Sequence, residues 1–257
     1  MKRMLFFAGM LCLLGCKSAA KQSEEWIQLF NGKDLTGWTV KIRGYPAGEN
    51  YGNTFRVEDG VMKVVYDPEY YETFDNRFGH IFTHETFSSY KLRVEYRFVG
   101  EQVSRGPGWA YRNSGVMLHA QSPESMHLDQ DFPVSIEAQF LGGDGTRERT
   151  TGNVCTPGTN IHINGELVTS HCTNSTSRTF HGDQWVTIEI IVLADSIVHH
   201  IIEGDTILTY TNLIQNGRRG VNPAVDIPVG PLRSGHIALQ SESHPVEFRK
   251  VELLRLD

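Results

Sequence analysis

The segment Tyr90 to Val99, YKLRVEYRFV, alternates at every step: Tyr90, Leu92, Val94, Tyr96 and Phe98 on one parity, Lys91, Arg93, Glu95 and Arg97 on the other. A period of two is satisfied only by a strand with one face in a core and the other in water. Strand-period segments recur along the chain with almost no helical pattern between them. SIEAQF (Ser135 to Phe140) alternates in the same way, and WVTIEIIVL (Trp185 to Leu193) is more continuously apolar. IVHHIIEGDTILTY (Ile197 to Tyr210) reads as a hairpin turning at Glu203-Gly204-Asp205. The closing GHIALQSESHPVEFRKVELLRL gives two more strands, broken at His244-Pro245. With 25 glycines for turns and no linker dividing the chain, 257 residues of this pattern predict an all-β fold, a two-sheet antiparallel sandwich of jelly-roll type.

One strand has a face that water alone does not explain. In YRNSGVMLH (Tyr111 to His119), parity sets Val116, Leu118 and Ala120 towards the core and Asn113, Gly115, Met117 and His119 away from it. In SIEAQF the corresponding outward residues are Ser135, Glu137 and Gln139; in HIALQSE they are His236, Ala238, Gln240 and Glu242. Three strands thus share an apolar side and an opposite side of short-reach hydrogen-bonding groups. Amides, carboxylates and an imidazole, flanked by Trp109 and Tyr111, suit a sugar: hydroxyls take bidentate polar partners, and the C–H face of a pyranose lies on an aromatic ring. The competing reading is a solvated sheet face carrying chance polar residues.

The N-terminus reads separately. MKRMLFFAGMLCLLGC sets Lys2 and Arg3 before a short apolar run ending in Leu13-Leu14-Gly15-Cys16, which resembles a bacterial lipoprotein signal. Residues 1–15 are then expected to be removed, Cys16 to carry lipid, and residues 16–25 to tether a single domain spanning 26–257 to a membrane of the cell envelope. Loss of the two positive charges moves the formal charge from −6 to −8, which with no basic run argues against a nucleic-acid partner. Of four cysteines, only Cys155 and Cys172 remain in the domain, and in an oxidising compartment such a pair is expected to form a disulfide. A zinc site on Cys155, His162, His171 and Cys172 is the rival, with a spacing that fits no common zinc pattern. No cofactor motif occurs; the Asp- and Asn-containing loops leave room for a structural calcium.

WIQLFNGKDLTGW (Trp26 to Trp38), FRVEDGVMKV (Phe55 to Val64), NSGVML (Asn113 to Leu118), SIEAQFLGG (Ser135 to Gly143) and SGHIALQSESHPVEFRKVELL (Ser234 to Leu254) together resemble the 3-keto-disaccharide hydrolase family. The resemblance implies a concanavalin A-like jelly roll and cleavage of glycosides oxidised at C3. For such chemistry Glu137 and His119 are the expected base and acid, in either order. Asn113, Gln139 and Gln240 are the expected holders of carbonyl or hydroxyl groups, with Glu242, Trp109 and Tyr111 beside them and Arg77, His80 and His244 at the rim. An ordinary glycosidase needs two carboxylates close together, and Glu242 serves only if its strand lies near that of Glu137. A carbohydrate-binding module without catalysis is the remaining alternative.

Overall fold

The computed structural model describes residues 25–218 and 220–256. Residues 1–15, Cys16 and all but the last residue of the 16–25 segment lie outside the described residues.

Eighteen strands follow in chain order among the described residues. The first six are β1 (Ile27–Gln28), β2 (Trp38–Ile42), β3 (Phe55–Glu58), β4 (Val61–Val64), β5 (Gly79–Phe87) and β6 (Ser89–Phe98). Next come β7 (Asn113–Ala120), β8 (Ile136–Leu141), β9 (Asn153–Cys155), β10 (Thr159–Ile163), β11 (Glu166–Leu167) and β12 (Cys172–Thr173). The last are β13 (Val186–Leu193), β14 (Ile197–Ile202), β15 (Asp205–Gln215), β16 (Gly230–Pro231), β17 (Gly235–Ser241) and β18 (Val246–Arg255). Among the described residues, helix is confined to three short 3₁₀ turns, at Tyr51–Asn53, Gly108–Ala110 and Pro123–Ser125.

The strands form two antiparallel sheets. One runs β11-β10-β15-β14-β13-β6-β18-β4-β3, with β1 on β18 and β16 on β15; the other runs β12-β9-β8-β7-β17-β5-β2. Their facing sides make the core. Tyr90, Leu92, Val94, Tyr96 and Phe98 of β6 are buried against Val116, Leu118, Ile136, Ala138 and Phe140 of the second sheet. Tyr96 stacks on Phe140 across the gap, ring centres 4.1 Å apart. The other parity of β6 meets water through ion pairs with its neighbours: Lys91 and Arg93 to Glu189, Arg97 to Glu247.

The second sheet differs, because both of its faces are covered. Every residue of β7 is buried. Its core side meets the first sheet. Its other side forms part of a cavity that Trp109 of the segment before β7 and Phe132 of the loop after it also line, with Pro157 and His171 from the segments next to β9 and β12. The loop after β7 is tied to the edge strand β2: Lys41 donates to the Leu128 carbonyl at 3.0 Å, and Arg43 pairs with Asp131 at 2.7 Å. Loops fixed in this way turn a sheet face into the floor of a cavity.

Candidate active site

Two rows of side chains cross that floor. In the first, Phe82, Ala238, Met117, Glu137, Cys155 and Cys172 are successive cross-strand neighbours on β5, β17, β7, β8, β9 and β12. Phe82, Ala238 and Met117 close into an apolar cluster with Ala120 and Met126, so one half of the floor is greasy. The row ends in the disulfide between Cys155 and Cys172, which takes both sulfurs out of the zinc reading. In the second row Lys41 pairs with His80, His80 with Gln240, and, beyond Gly115, Gln139 with Asn153.

A cavity of about 310 Å³ stands over these rows, walled by Trp109, Asn113, Glu137, Gln139 and Glu242, with Phe132 and the disulfide closing its sides. The strand of Glu242 thus does lie near. Burial raises the Glu137 carboxyl to about 8. The Glu242 carboxyl is raised well above the usual carboxylate range, first by burial and then by the nearby charge of Glu137, with Arg149 opposing the shift. Both carboxyls thus favour the neutral form in the folded chain, and each makes ionisation of the other harder.

Several buried polar atoms around the pair have no hydrogen-bond partner within the protein: Asn113 Oδ1, Gln240 Oε1 and Nε2, Glu242 Oε2 and both ring nitrogens of His80. A cluster of this kind in a folded chain needs an account, since each unpartnered buried group costs about 1–3 kcal/mol. Asn113 and Glu242 line the cavity, and His80 and Gln240 follow along the second row of the same sheet. Among the described residues, no three His, Cys, Asp or Glu side chains are gathered as metal ligands.

His119 is a correction to the parity argument. Across β17, His236 pairs with Ala120 and Ala238 with Met117, so Leu118 and His119 together oppose the single residue Ile237. This β-bulge, with His119 at φ 50°, reverses the alternation. Ala120 turns to the cavity side, and His119 turns to the core, its ring 5.9 Å from that of Tyr90 and its Nε2 3.2 Å from the Ala194 carbonyl of the opposite sheet. Burial lowers its pKa. It faces away from Glu137 and is not its partner.

The other expected residues divide. Asn113, Glu137, Gln139, Glu242 and Trp109 share the cavity. Gln139 Oε1 accepts from Asn153 Nδ2 at 3.2 Å, and Asn113 Nδ2 donates to the Trp109 carbonyl at 3.4 Å. Gln240 lies fully buried in the floor. Tyr111 and His244 pack together beside it, ring centres 5.1 Å apart, with burial pushing His244 down to about 4. His80 is not at a rim but buried in mid-sheet near Phe132, pushed down to about 3 by burial and the charge of Lys41. Arg77 stands elsewhere, paired with Asp75 at 2.9 Å and lying over the Tyr51 ring.

Arg149 and Phe132 belong to the site and carry no sequence signal, each being a single residue in a long loop. Arg149 donates to the carbonyls of Trp109 (3.0 Å), Gly142 (3.1 Å) and Tyr111, fixing the turn that presents Trp109.

Solved structures resemble this fold at low identity. Two proteins from Parabacteroides distasonis ATCC 8503 described as glycosyl hydrolases superpose with TM-scores of 0.54 and 0.51. The first is 20% identical, over 92% of this chain and 96% of its own; the second is 17% identical, over 90% and 100%. A structure from work on endo-acting O-glycanases of human gut microbiota superposes at 0.50 with 14% identity, over 91% of this chain and 99% of that one. At these identities the likeness concerns the fold. No curated protein matches the chain. The family model for the 3-keto-alpha-glucoside-1,2-lyase-like domain matches residues 25–254, nearly everything from Glu25 onward, and the jelly roll with its covered sheet face therefore belongs to that family.

Proposed function

We propose that the protein binds glycosides oxidised at C3 and cleaves their glycosidic bond by elimination followed by hydration. The observation that carries this reading is that two buried carboxyls, Glu137 and Glu242, both raised by burial, line one cavity with Asn113 and Gln139. A ketone at C3 makes the C2 proton acidic by allowing an enolate. Glu137, the less strongly shifted carboxyl, removes that proton when ionised. Electrons move into the C1–C2 bond as the C1–oxygen bond breaks, and Glu242 gives its proton to the departing oxygen. The Gln240 amide donates to the C3 oxygen as charge gathers there, and Asn113 Oδ1 accepts from a sugar hydroxyl. Water then adds at C1, and the net result is hydrolysis. His119, on the core side of the sheet, has no part in it.

A second reading has support from the same pair. Two neighbouring carboxyls also suit an ordinary glycosidase acting on unoxidised sugars. Incubation with 3-keto-glucosides and their unoxidised parents, with mass spectrometry of the products, separates the two. Cleavage of the keto sugars alone is the expected result, and cleavage of the parents at equal rate excludes elimination. Binding of both without cleavage leaves a carbohydrate-binding module.

The anchor is proposed on sequence grounds alone. Lipid on Cys16 would hold the domain at a bacterial envelope membrane, and Cys16→Ala should release it to the soluble fraction. Unchanged fractionation with an intact N-terminus argues against the lipid.

A further inference from the structure

The second row of the floor continues beyond the cavity as a line of buried polar side chains. Gly115 stands opposite Gln139 in it, and the register that pairs Val116 with Leu239 sets Gln240 on the other side of that glycine. The Glu137 carboxyl leans into the space over Gly115. Outward from Gln240 come His80 and then Lys41 on the edge strand β2. Directly opposed residues of an antiparallel pair point to one face, about 5 Å apart, so Gln240, His80 and Lys41 follow one another away from Glu137. His80 and Gln240 are fully buried and Lys41 nearly so. Phe132, from the cavity wall, meets the His80 ring edge-on, ring centres 6.0 Å apart. Ser114 donates to the Gln240 carbonyl at 2.8 Å and pins the backbone there. Among the described residues, however, neither ring nitrogen of His80 and neither polar atom of the Gln240 side chain has a partner. Lys41 Nζ donates to the Ile42 and Leu128 carbonyls, at 3.1 and 3.0 Å.

We infer that Lys41 and His80 are positioning residues for Gln240: the Lys41 ammonium orients the His80 ring, His80 donates to Gln240 Oε1, and the Gln240 N–H is thereby held towards the C3 oxygen of the keto sugar. This rests on the function proposed above. A glutamine amide has a donor end and an acceptor end of nearly equal size, and only the donor end stabilises an enolate. Its neighbour on the side away from Glu137 decides which end faces the substrate, and that neighbour is His80. A neutral imidazole carries one N–H and one bare nitrogen, so it faces the same choice. The cation next in line settles it, drawing the bare nitrogen towards Lys41 and leaving the N–H for Gln240. Burial lowers the Lys41 pKa, and the charge of Asp129 opposes that shift. The ring stays neutral, because burial and then the charge of Lys41 push His80 down to about 3. Donors then point one way along the row, towards the place where negative charge gathers. In a buried row with little water to screen it, such alignment is felt across more than one group. Catalytic hydrogen bonds commonly tighten only once substrate is bound, which accounts for two adjacent polar side chains that do not bond each other.

The probe for the test is the 3-keto derivative of 1,5-anhydroglucitol, a C3 ketone with no leaving group at C1. It cannot eliminate, so exchange of its C2 hydrogen for deuterium, followed by NMR, reads enolate formation alone. Exchange, probe affinity, turnover of a 3-keto-glucoside and thermal melting are measured for the full chain, His80→Leu, His80→Gln and Lys41→Met. His80→Leu and Lys41→Met should each slow C2 exchange and kcat about tenfold, less than the roughly 10²–10³ lost when an oxyanion donor itself is removed. Probe affinity should stay within about twofold, because the aligned N–H acts on charge that develops only in the transition state. His80→Gln keeps an N–H and an acceptor and should recover most of the rate. Folded variants of both residues that exchange at the rate of the full chain overturn the inference and leave the elimination standing. A loss of probe affinity as large as the loss of rate also overturns it, since that marks a general distortion of the cavity. If His80→Leu does not fold, His80→Gln and Lys41→Met decide by the same readings: a Lys41→Met that exchanges normally overturns the inference. Failure of the full chain to exchange C2 overturns the elimination, and the inference with it.

Discussion

The Glu137 carboxyl lies over the backbone of Gly115 on the neighbouring strand, so close that a Cβ built on that glycine would stand 2.6 Å from Glu137 Oε1 and 2.9 Å from its Cγ. The two residues are diagonal neighbours across the β7–β8 ladder, two positions out of register, Gly115 opposing Gln139 and Met117 opposing Glu137. The missing side chain is what lets the carboxyl lean inward towards Glu242. Gly115→Ala adds one methyl group at an ordinary strand position, so the backbone tolerates it. The carboxyl must move instead. The expected outcome is a stability loss of about 1–3 kcal/mol, typical of overpacking, with turnover of a 3-keto-glucoside falling tenfold or more. Thermal melting and steady-state rates on one preparation check it, and full turnover in the variant removes Glu137 from the mechanism.

Glu137 also sets a pH dependence with opposite signs for activity and stability. Its folded pKa, about 8, lies above the ordinary glutamate value of 4.5, so the folded chain holds a proton that the unfolded chain releases. The stability this contributes is complete below about pH 4.5 and is lost as pH rises through about 8. The base is ionised only as that loss proceeds. Between pH 6 and 8, kcat/KM should therefore rise while the melting temperature falls. Glu137→Gln should flatten this part of the stability profile and lower turnover by about 10²-fold or more. Sugar binding should survive better than turnover, since the amide still bonds hydroxyls. A variant that keeps the wild-type rate, or a wild-type rate that falls over this range, rules out Glu137 as the base.

His119 has a different signature. Its ring fills space between the sheets against Tyr90, and burial holds its pKa below the usual 6.5. His200, bonded to the Gly152 carbonyl and the Tyr210 hydroxyl, is likewise pushed down to about 4 by burial. Stability from such groups is complete above pH 6.5 and declines as pH falls towards their folded values, because the unfolded chain takes up the protons first. His119→Ala should cost about 2–4 kcal/mol through the cavity it leaves. Below its melting range it should leave kcat and the pH–rate profile within twofold of wild type. Loss of one limb of that profile would return His119 to the mechanism.

The sheet faces were legible in the sequence wherever period two runs unbroken. Ile136, Ala138 and Phe140 enter the core and Glu137 and Gln139 leave it; Ile237 and Leu239 enter and Ala238 leaves. Parity failed at one place, where the bulge at Leu118-His119 inserts a residue that no local composition marks. A single slip turned His119 from the site to the core. The pairing of Glu137 with Glu242 was out of reach for another reason: it depends on β17 lying against β7, and strand order is not written in alternation. Arg149 was hidden because its role is to bond the carbonyls of Trp109, Tyr111 and Gly142, and an arginine in a loop shows nothing of that. Arg77 displays the ordinary outcome for such a residue, an ion pair with a nearby aspartate.

The disulfide joins the stability of the fold to the shape of the site. Cys155 is the cross-strand neighbour of Glu137, Cys172 is the neighbour of Cys155, and both line the cavity. Closing a loop with a sequence separation of 17 contributes about 3 kcal/mol in the chain-entropy model. The same bond holds the short edge strand β12, only two residues long, against β9. Without it that edge has few contacts to keep it in place, and the cavity wall beside Glu137 loosens. The double variant Cys155→Ser/Cys172→Ser should therefore melt at a lower temperature and also bind sugar more weakly at temperatures where it remains folded. A thiol count on the denatured, unreduced wild type should find neither Cys155 nor Cys172 free. Equal sugar affinity in the folded double variant would confine the disulfide to stability and detach it from the site.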